Sequence, residues 1–177
     1  VVGSGKSMLL RVLAEERAEH RDAAVLHLDL LGDSSYKFGA RDELMPEKTE
    51  EEKMAKKRCW ENRTFFGFTP RAYRDSLFLT YNKNADPFAD VELDKTPLEV
   101  KVNDGEETLP EAGYLGDPEF YKKILKYGRI TTISLNTLEH PQQLLALKRI
   151  SATLKKCGAE GTLPQMMLLF DETQDLV

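Results

Sequence analysis

The chain has 177 residues, 41% of them hydrophobic, which suits one globular domain with a buried core. A formal net charge of -5 removes any global electrostatic case for nucleic acid, and no apolar run approaches the roughly 20 residues of a membrane-spanning helix. Cys59 and Cys157 are far apart and form no C-x-x-C pair, which argues against a zinc site or a disulfide framework.

In chain order, the opening "VVGSGKSMLL" contains the second half of a phosphate-binding loop, with the first glycine of the full signature expected just ahead of Val1. Apolar Met8, Leu9, Val12 and Leu13 recur near helical spacing, so a helix is expected from Lys6 to about Glu19. "AAVLHLDL" (Ala23 to Leu30) reads as a buried strand closed by Gly32 and Asp33. Dense charge follows: Glu50, Glu51 and Glu52, then Lys53, Lys56, Lys57 and Arg58, as on a solvated helix with oppositely charged pairs. Thr69 as N-cap and Pro70 at the first helical position predict a helix over 70–79. The stretch after it is rich in Asp, Asn, Pro and Gly and reads as an inserted loop with one hairpin around "PLEVKVNDGEETL", Asp104 and Gly105 supplying the turn.

Order returns at "DPEFYKKILKYG", with Asp117 as cap, Pro118 at the start, an apolar face of Phe120, Ile124 and Leu125, and Gly128 as stop. "RITTISL" is a β-branched strand. Pro141 then opens a helix whose Leu144, Leu145, Leu147, Ile150 and Leu154 form one broad apolar face before Gly158. "MMLLFDETQDLV" gives an apolar strand ending in carboxylates. Strands alternating with helices imply an α/β fold with a mainly parallel sheet.

Two motifs carry chemistry. A triphosphate needs backbone N–H donors, a cation near the β- and γ-phosphates and a hydroxyl for magnesium. Gly3, Ser4, Gly5, Lys6, Ser7 and Met8 are the residues expected to hold the phosphates, with Lys6 as the cation and Ser7 as a metal ligand. "QMMLLFDE" delivers Asp171 and Glu172 at the end of a strand, the Walker B pattern: Asp171 to hold Mg2+ and Glu172 as general base. The catalytic residues expected are therefore Glu172 and Lys6. Gln174 and Asp175 read as a solvated turn, and His20, His27 and His140 share no ligand spacing. Trp60, Phe65, Phe66 and Phe68 read as packing rather than as a base-stacking platform.

On "GSGKS" (Gly3 to Ser7) and "MMLLFDE" (Met166 to Glu172), the chain resembles the additional-strand class of P-loop NTPases, to which AAA+ ATPases and their signalling relatives belong. The resemblance implies a three-layer P-loop fold entered partway at both ends, with an insertion over 36–116 between the second strand and the Walker B strand. It also implies magnesium-dependent ATP binding and hydrolysis, and assembly as a homo-oligomer or within a larger complex. "LLFDETQD" is similar to the DExQ box of superfamily 1 helicases, although "AAVLHLDLLGDSS" lacks the Thr- and Asn-containing motif expected after the first helix. "VLHLDL" and "ILKYGRITTISLNTLEHPQQLLALKRI" look similar to the arrangement in the death-associated, GTP-binding protein of the mitochondrial small ribosomal subunit, which implies a structural subunit that holds GTP with little hydrolysis. Glu172, which a binding-only site would not require, favours the ATPase reading. The expected setting is intracellular, cytoplasmic by default, with a mitochondrial destination left open.

Overall fold

The structure, a computed structural model, describes residues 6–30, 50, 54, 76–81, 92–103 and 112–170. The first helix, α1 (Lys6–His20), forms where the apolar spacing places it. It buries Val12, Ala14, Glu15 and Ala18, and the small Ala14 and Ala18 let its backbone approach the sheet closely. The chain turns at Arg21, which has a left-handed φ of 54°, and enters β1 (Ala24–Asp29), buried at every position.

That complete burial follows from the flanking strands. β1 lies between β5 (Ile130–Ser134) and β6 (Met166–Phe170), parallel to both, in registers running from Val25 opposite Ile130 to Asp29 opposite Ser134, and from Ala24 opposite Met166 to Leu28 opposite Phe170. Beyond β5 the sheet continues through β2 (Ser76–Tyr81), β3 (Leu98–Asn103) and β4 (Ala112–Gly113), in the order β4-β3-β2-β5-β1-β6. The four strands β2, β5, β1 and β6 are mutually parallel, while β3 and β4 add antiparallel. The sheet is thus mixed, with the expected parallel part running from β2 to β6. Of the six strands among the described residues, β2, β3 and β4 fall within 36–116, so the region read as an insertion extends the sheet.

The helix expected over 70–79 is overturned from Ser76 onward, and its capping residues lie outside the described residues. "SLFLTY" sends Leu77, Leu79 and Tyr81 into the core at period two, and pairing with a strand on each side outweighs a helix start at Pro70. Strand 98–103 is present as expected, with Leu98 and Glu99 opposite Gly113 and Ala112, and the expected turn at Asp104 and Gly105 lies outside the described residues.

Helix α2 (Pro118–Ile124) opens as expected, Asp117 Oδ1 accepting from the Glu119 N–H at 3.0 Å. A Cβ on Gly113 would come within 2.1 Å of the Phe120 ring, so this strand residue is small because α2 packs directly on it. Helix α3 (His140–Ala159) buries Ala146, Ile150, Thr153 and Cys157 and runs through Gly158, the residue expected to stop it. Leu144, Leu147 and Leu154 are only half-buried and Leu145 is 56% exposed, so the inward face is narrower than the leucines suggested.

Alternate residues of β1 serve different cores, as strand geometry requires. Leu26 and Leu28 join Ile133, Phe120, Tyr121, Ala146 and Ile150 beneath α2 and α3, whereas Val25 joins Ile130, Leu169, Ala14 and Ala18 beneath α1. Helices therefore cover both faces of the sheet, in three layers.

Two phenols sit in the larger core. Tyr81 and Tyr121 are 1% and 0% exposed, and neither hydroxyl has a hydrogen-bond partner among the described residues. Burial pushes both phenols well above their ordinary value of 10.0; the nearby Asp94 charge adds to the shift of Tyr81, and Tyr81 and Cys157 add to that of Tyr121. Because each ionises more readily in the unfolded chain, stability should hold below about pH 10 and fall as pH rises past it. Melting temperatures from pH 8 to 11 check this: Tyr121→Phe should flatten the alkaline decline and, by removing an unpaired buried hydroxyl, add about 1 kcal/mol at neutral pH.

Candidate functional site

In open parallel sheets, ligands bind beyond the carboxyl ends of the strands. At that edge, β1 ends in Asp29 and β5 in Ser134, directly opposite one another. Both are buried, at 3% and 1% exposure. Ser134 Oγ donates to Asn136 Oδ1 at 2.9 Å and approaches Asp29 Oδ2 at 3.4 Å as a longer, second acceptor. Gln143, from the first turns of α3, fastens the same edge: its Nε2 donates to the carbonyls of Leu30 and Leu135 at 3.2 and 3.1 Å. Leu135 N–H donates to Asp29 O at 2.7 Å, so the chain leaving β5 stays tied to the end of β1.

Period-two alternation sets what this edge presents. His27 and Asp29 share the face of Val25, and Thr132 and Ser134 share that of Ile130, so all four turn toward the α1 side of the sheet. That face is apolar at the amino ends of the strands and becomes polar toward their carboxyl ends, with His27, Thr132, Asp29 and Ser134 all buried. A polar half-face under a helix, at the ligand-binding edge of a parallel sheet, is out of keeping with simple core packing.

The direction of α1 follows from its exit. Arg21 N–H donates to Ala18 O, and both residues lie beside Gly128, just before β5 begins. The end of α1 is thus at the amino ends of the strands, and its 15 residues, about 22 Å at 1.5 Å each, bring its start back toward the carboxyl ends. Lys6, Ser7 and Met8 open the helix there, and the first turn holds no acidic residue. Gly3, Ser4 and Gly5 lie outside the described residues, as do Asp171, Glu172, Gln174 and Asp175. β6, which precedes Asp171 in the chain, ends at Phe170 opposite Leu28. It is less enclosed than an all-buried run: only Leu169 is buried, and Leu168 is 36% exposed.

Of the histidines, His27 is buried within β1, His20 is exposed at the end of α1 with Nε2 3.6 Å from Glu16, and His140 is exposed at the start of α3. The structure brings no two of them together. Trp60 and Phe65, Phe66 and Phe68 lie outside the described residues, as does Cys59; Cys157 is free and buried.

Asp29, Ser134 and Asn136 were not singled out from the sequence. The available signal was the carboxylate of "VLHLDL", an acid inside an otherwise apolar strand. Among the described residues, no group of three His, Cys, Asp or Glu side chains could hold a metal ion, and no helix is long and apolar enough to cross a membrane. Comparison with known proteins finds no matching family model, no matching curated protein and no matching solved structure.

Proposed function

We propose that this chain binds a nucleoside triphosphate, ATP in preference to GTP, at the carboxyl edge of its parallel strands and hydrolyses it, as a P-loop NTPase of the additional-strand class would. One observation supports the reading above the others. The helix opened by "GSGKS" runs antiparallel to β1, so its start and the end of β6, which leads into Asp171 and Glu172, belong to the same edge of the sheet. Lys6 and Phe170 are 164 positions apart in sequence, yet the start of that helix and the end of that strand come to one edge of the sheet.

In this reading the backbone N–H groups of Gly3 to Met8 and the Lys6 ammonium bind the phosphates. Ser7 and Asp171 would hold Mg2+; a hydroxyl and a carboxylate are the hard oxygen donors that ion takes, and when bound it neutralises charge on the phosphate oxygens. Glu172 accepts a proton from the attacking water, whose oxygen bonds to the γ-phosphorus as the bond to the β-phosphate oxygen breaks, leaving a nucleoside diphosphate and phosphate.

Glu172→Gln tests the reading. Phosphate release should fall by about 100-fold or more while binding of a fluorescent ATP analogue is retained. A parent protein that binds the analogue and releases no phosphate would instead be a nucleotide-holding subunit.

A further inference from the structure

Helix α3 presents a face that neither core uses. Over His140–Ala159 it carries four Lys or Arg residues, Lys148, Arg149, Lys155 and Lys156, and no Asp or Glu, within a chain of net charge -5. All four are exposed: Lys148 and Lys155 lie opposite the buried line of Ala146, Ile150, Thr153 and Cys157, and Arg149 and Lys156 lie on its flank. At 100° per residue, Leu145, Ala152 and Ala159 form a strip along the outer face, with Lys148 and Lys155 on one side and Arg149 and Lys156 on the other. Leu145 is 56% exposed, and the two alanines leave room for a close neighbour.

The strip opens into a groove of about 480 Å³, lined by Leu145, Lys148, Arg149 and Ala152 together with Leu93 and Asp94. Arg149 builds its wall: Nε and Nη2 reach Asp94 Oδ1 at 2.7 and 2.6 Å and fix the 92–96 turn against the helix. No ion pair engages Lys148, Lys155 or Lys156 among the described residues, so three cations remain along the rims.

We propose that this face docks an acidic amphipathic helix of a partner protein, its apolar stripe seated on Leu145, Ala152 and Leu93 and its flanking carboxylates meeting Lys148, Lys155 and Lys156. The pattern is that of paired helices, an apolar seam one heptad long bordered by charges that select the partner. A phosphate backbone would have no use for the central apolar strip, and Leu145 followed by two alanines offers a bilayer too little apolar surface.

The probe is a three-heptad helical peptide with Leu at the seam positions and Glu at the flanking ones, compared by fluorescence anisotropy with the same peptide carrying Lys in place of Glu. The protein should bind the Glu peptide and not the Lys peptide. Lys148→Glu with Lys155→Glu should weaken the Glu peptide at least about tenfold and allow the Lys peptide to bind. Leu145→Glu should also weaken the Glu peptide, and all variants should melt with the parent, since each changed side chain is exposed. Equal binding of both peptides, no effect of the charge reversal, or displacement of the Glu peptide by a short DNA duplex or by phosphatidylserine vesicles would each overturn the proposal.

Discussion

Lys6→Ala should weaken binding of a nucleoside triphosphate by about 10- to 100-fold. Lys6 opens α1 with no acidic residue in the first turn, so the start of the helix is electropositive from both its dipole and its side chain. A helix N-terminus alone is better served by Asp or Glu, and a lysine there is unfavourable to the dipole unless an anion is bound beside it. One charge-assisted hydrogen bond contributes about 1.5–3 kcal/mol, and 1.4 kcal/mol is tenfold in affinity, which sets the range. Alanine is the best helix former, so α1 itself should be unharmed. Titration with a fluorescent ATP analogue gives the affinity, and the upward shift of melting temperature with added MgATP should shrink in parallel. An unchanged affinity would remove triphosphate hydrolysis and triphosphate holding together.

Ile150→Ala should destabilise the fold by about 2–5 kcal/mol, whereas Leu145→Ala should change it by less than about 0.5 kcal/mol. The two residues lie on the same helix and are of similar size, but Ile150 is 0% exposed within the core beneath α3 and Leu145 is 56% exposed. Total stabilities of domains run to about 5–15 kcal/mol, so the first change is a large fraction of the whole. Urea unfolding of the two variants beside the parent separates them by midpoint. Equal losses would mean that α3 packs on its leucines rather than on Ala146, Ile150 and Cys157.

That contrast marks how far the sequence could be read. β1, α2 and β5 carried local signals that agree with their final environment, in the apolar run of β1, the Asp117 cap and Pro118 start of α2, and the β-branched run of β5, whereas on α1 Leu9 and Leu13 are 55% and 41% exposed and β6 buries only Leu169. On α3 the four leucines stand out in the sequence, yet the buried line is Ala146, Ile150, Thr153 and Cys157, because the direction each side chain faces is set by how the helix is seated and not by its size. β2 was misread as a helix because Thr69 and Pro70 are strong local signals, while the strands that claim Ser76–Tyr81 come from residues 98–103 and 130–134. The motif residues Gly3, Ser4, Gly5, Asp171 and Glu172 lie outside the described residues, so their reading rests on type and order alone. Asp29 and Ser134 were not legible, since their meeting depends on a register between segments that no local pattern encodes.

The central position of β5 also constrains the order in which the chain can fold. Ser134 reaches Asp29 across 105 residues, and β6 joins β1 only when residues 166–170 are present. The antiparallel contacts of β2 with β3 and of β3 with β4 span far less chain and can close first, whereas β1 must wait for residues 130–134 and 166–170. A sheet so dependent on distant pairings folds slowly. Through that interval α1 and the apolar β1 segment are the portion most in need of protection from association with other chains.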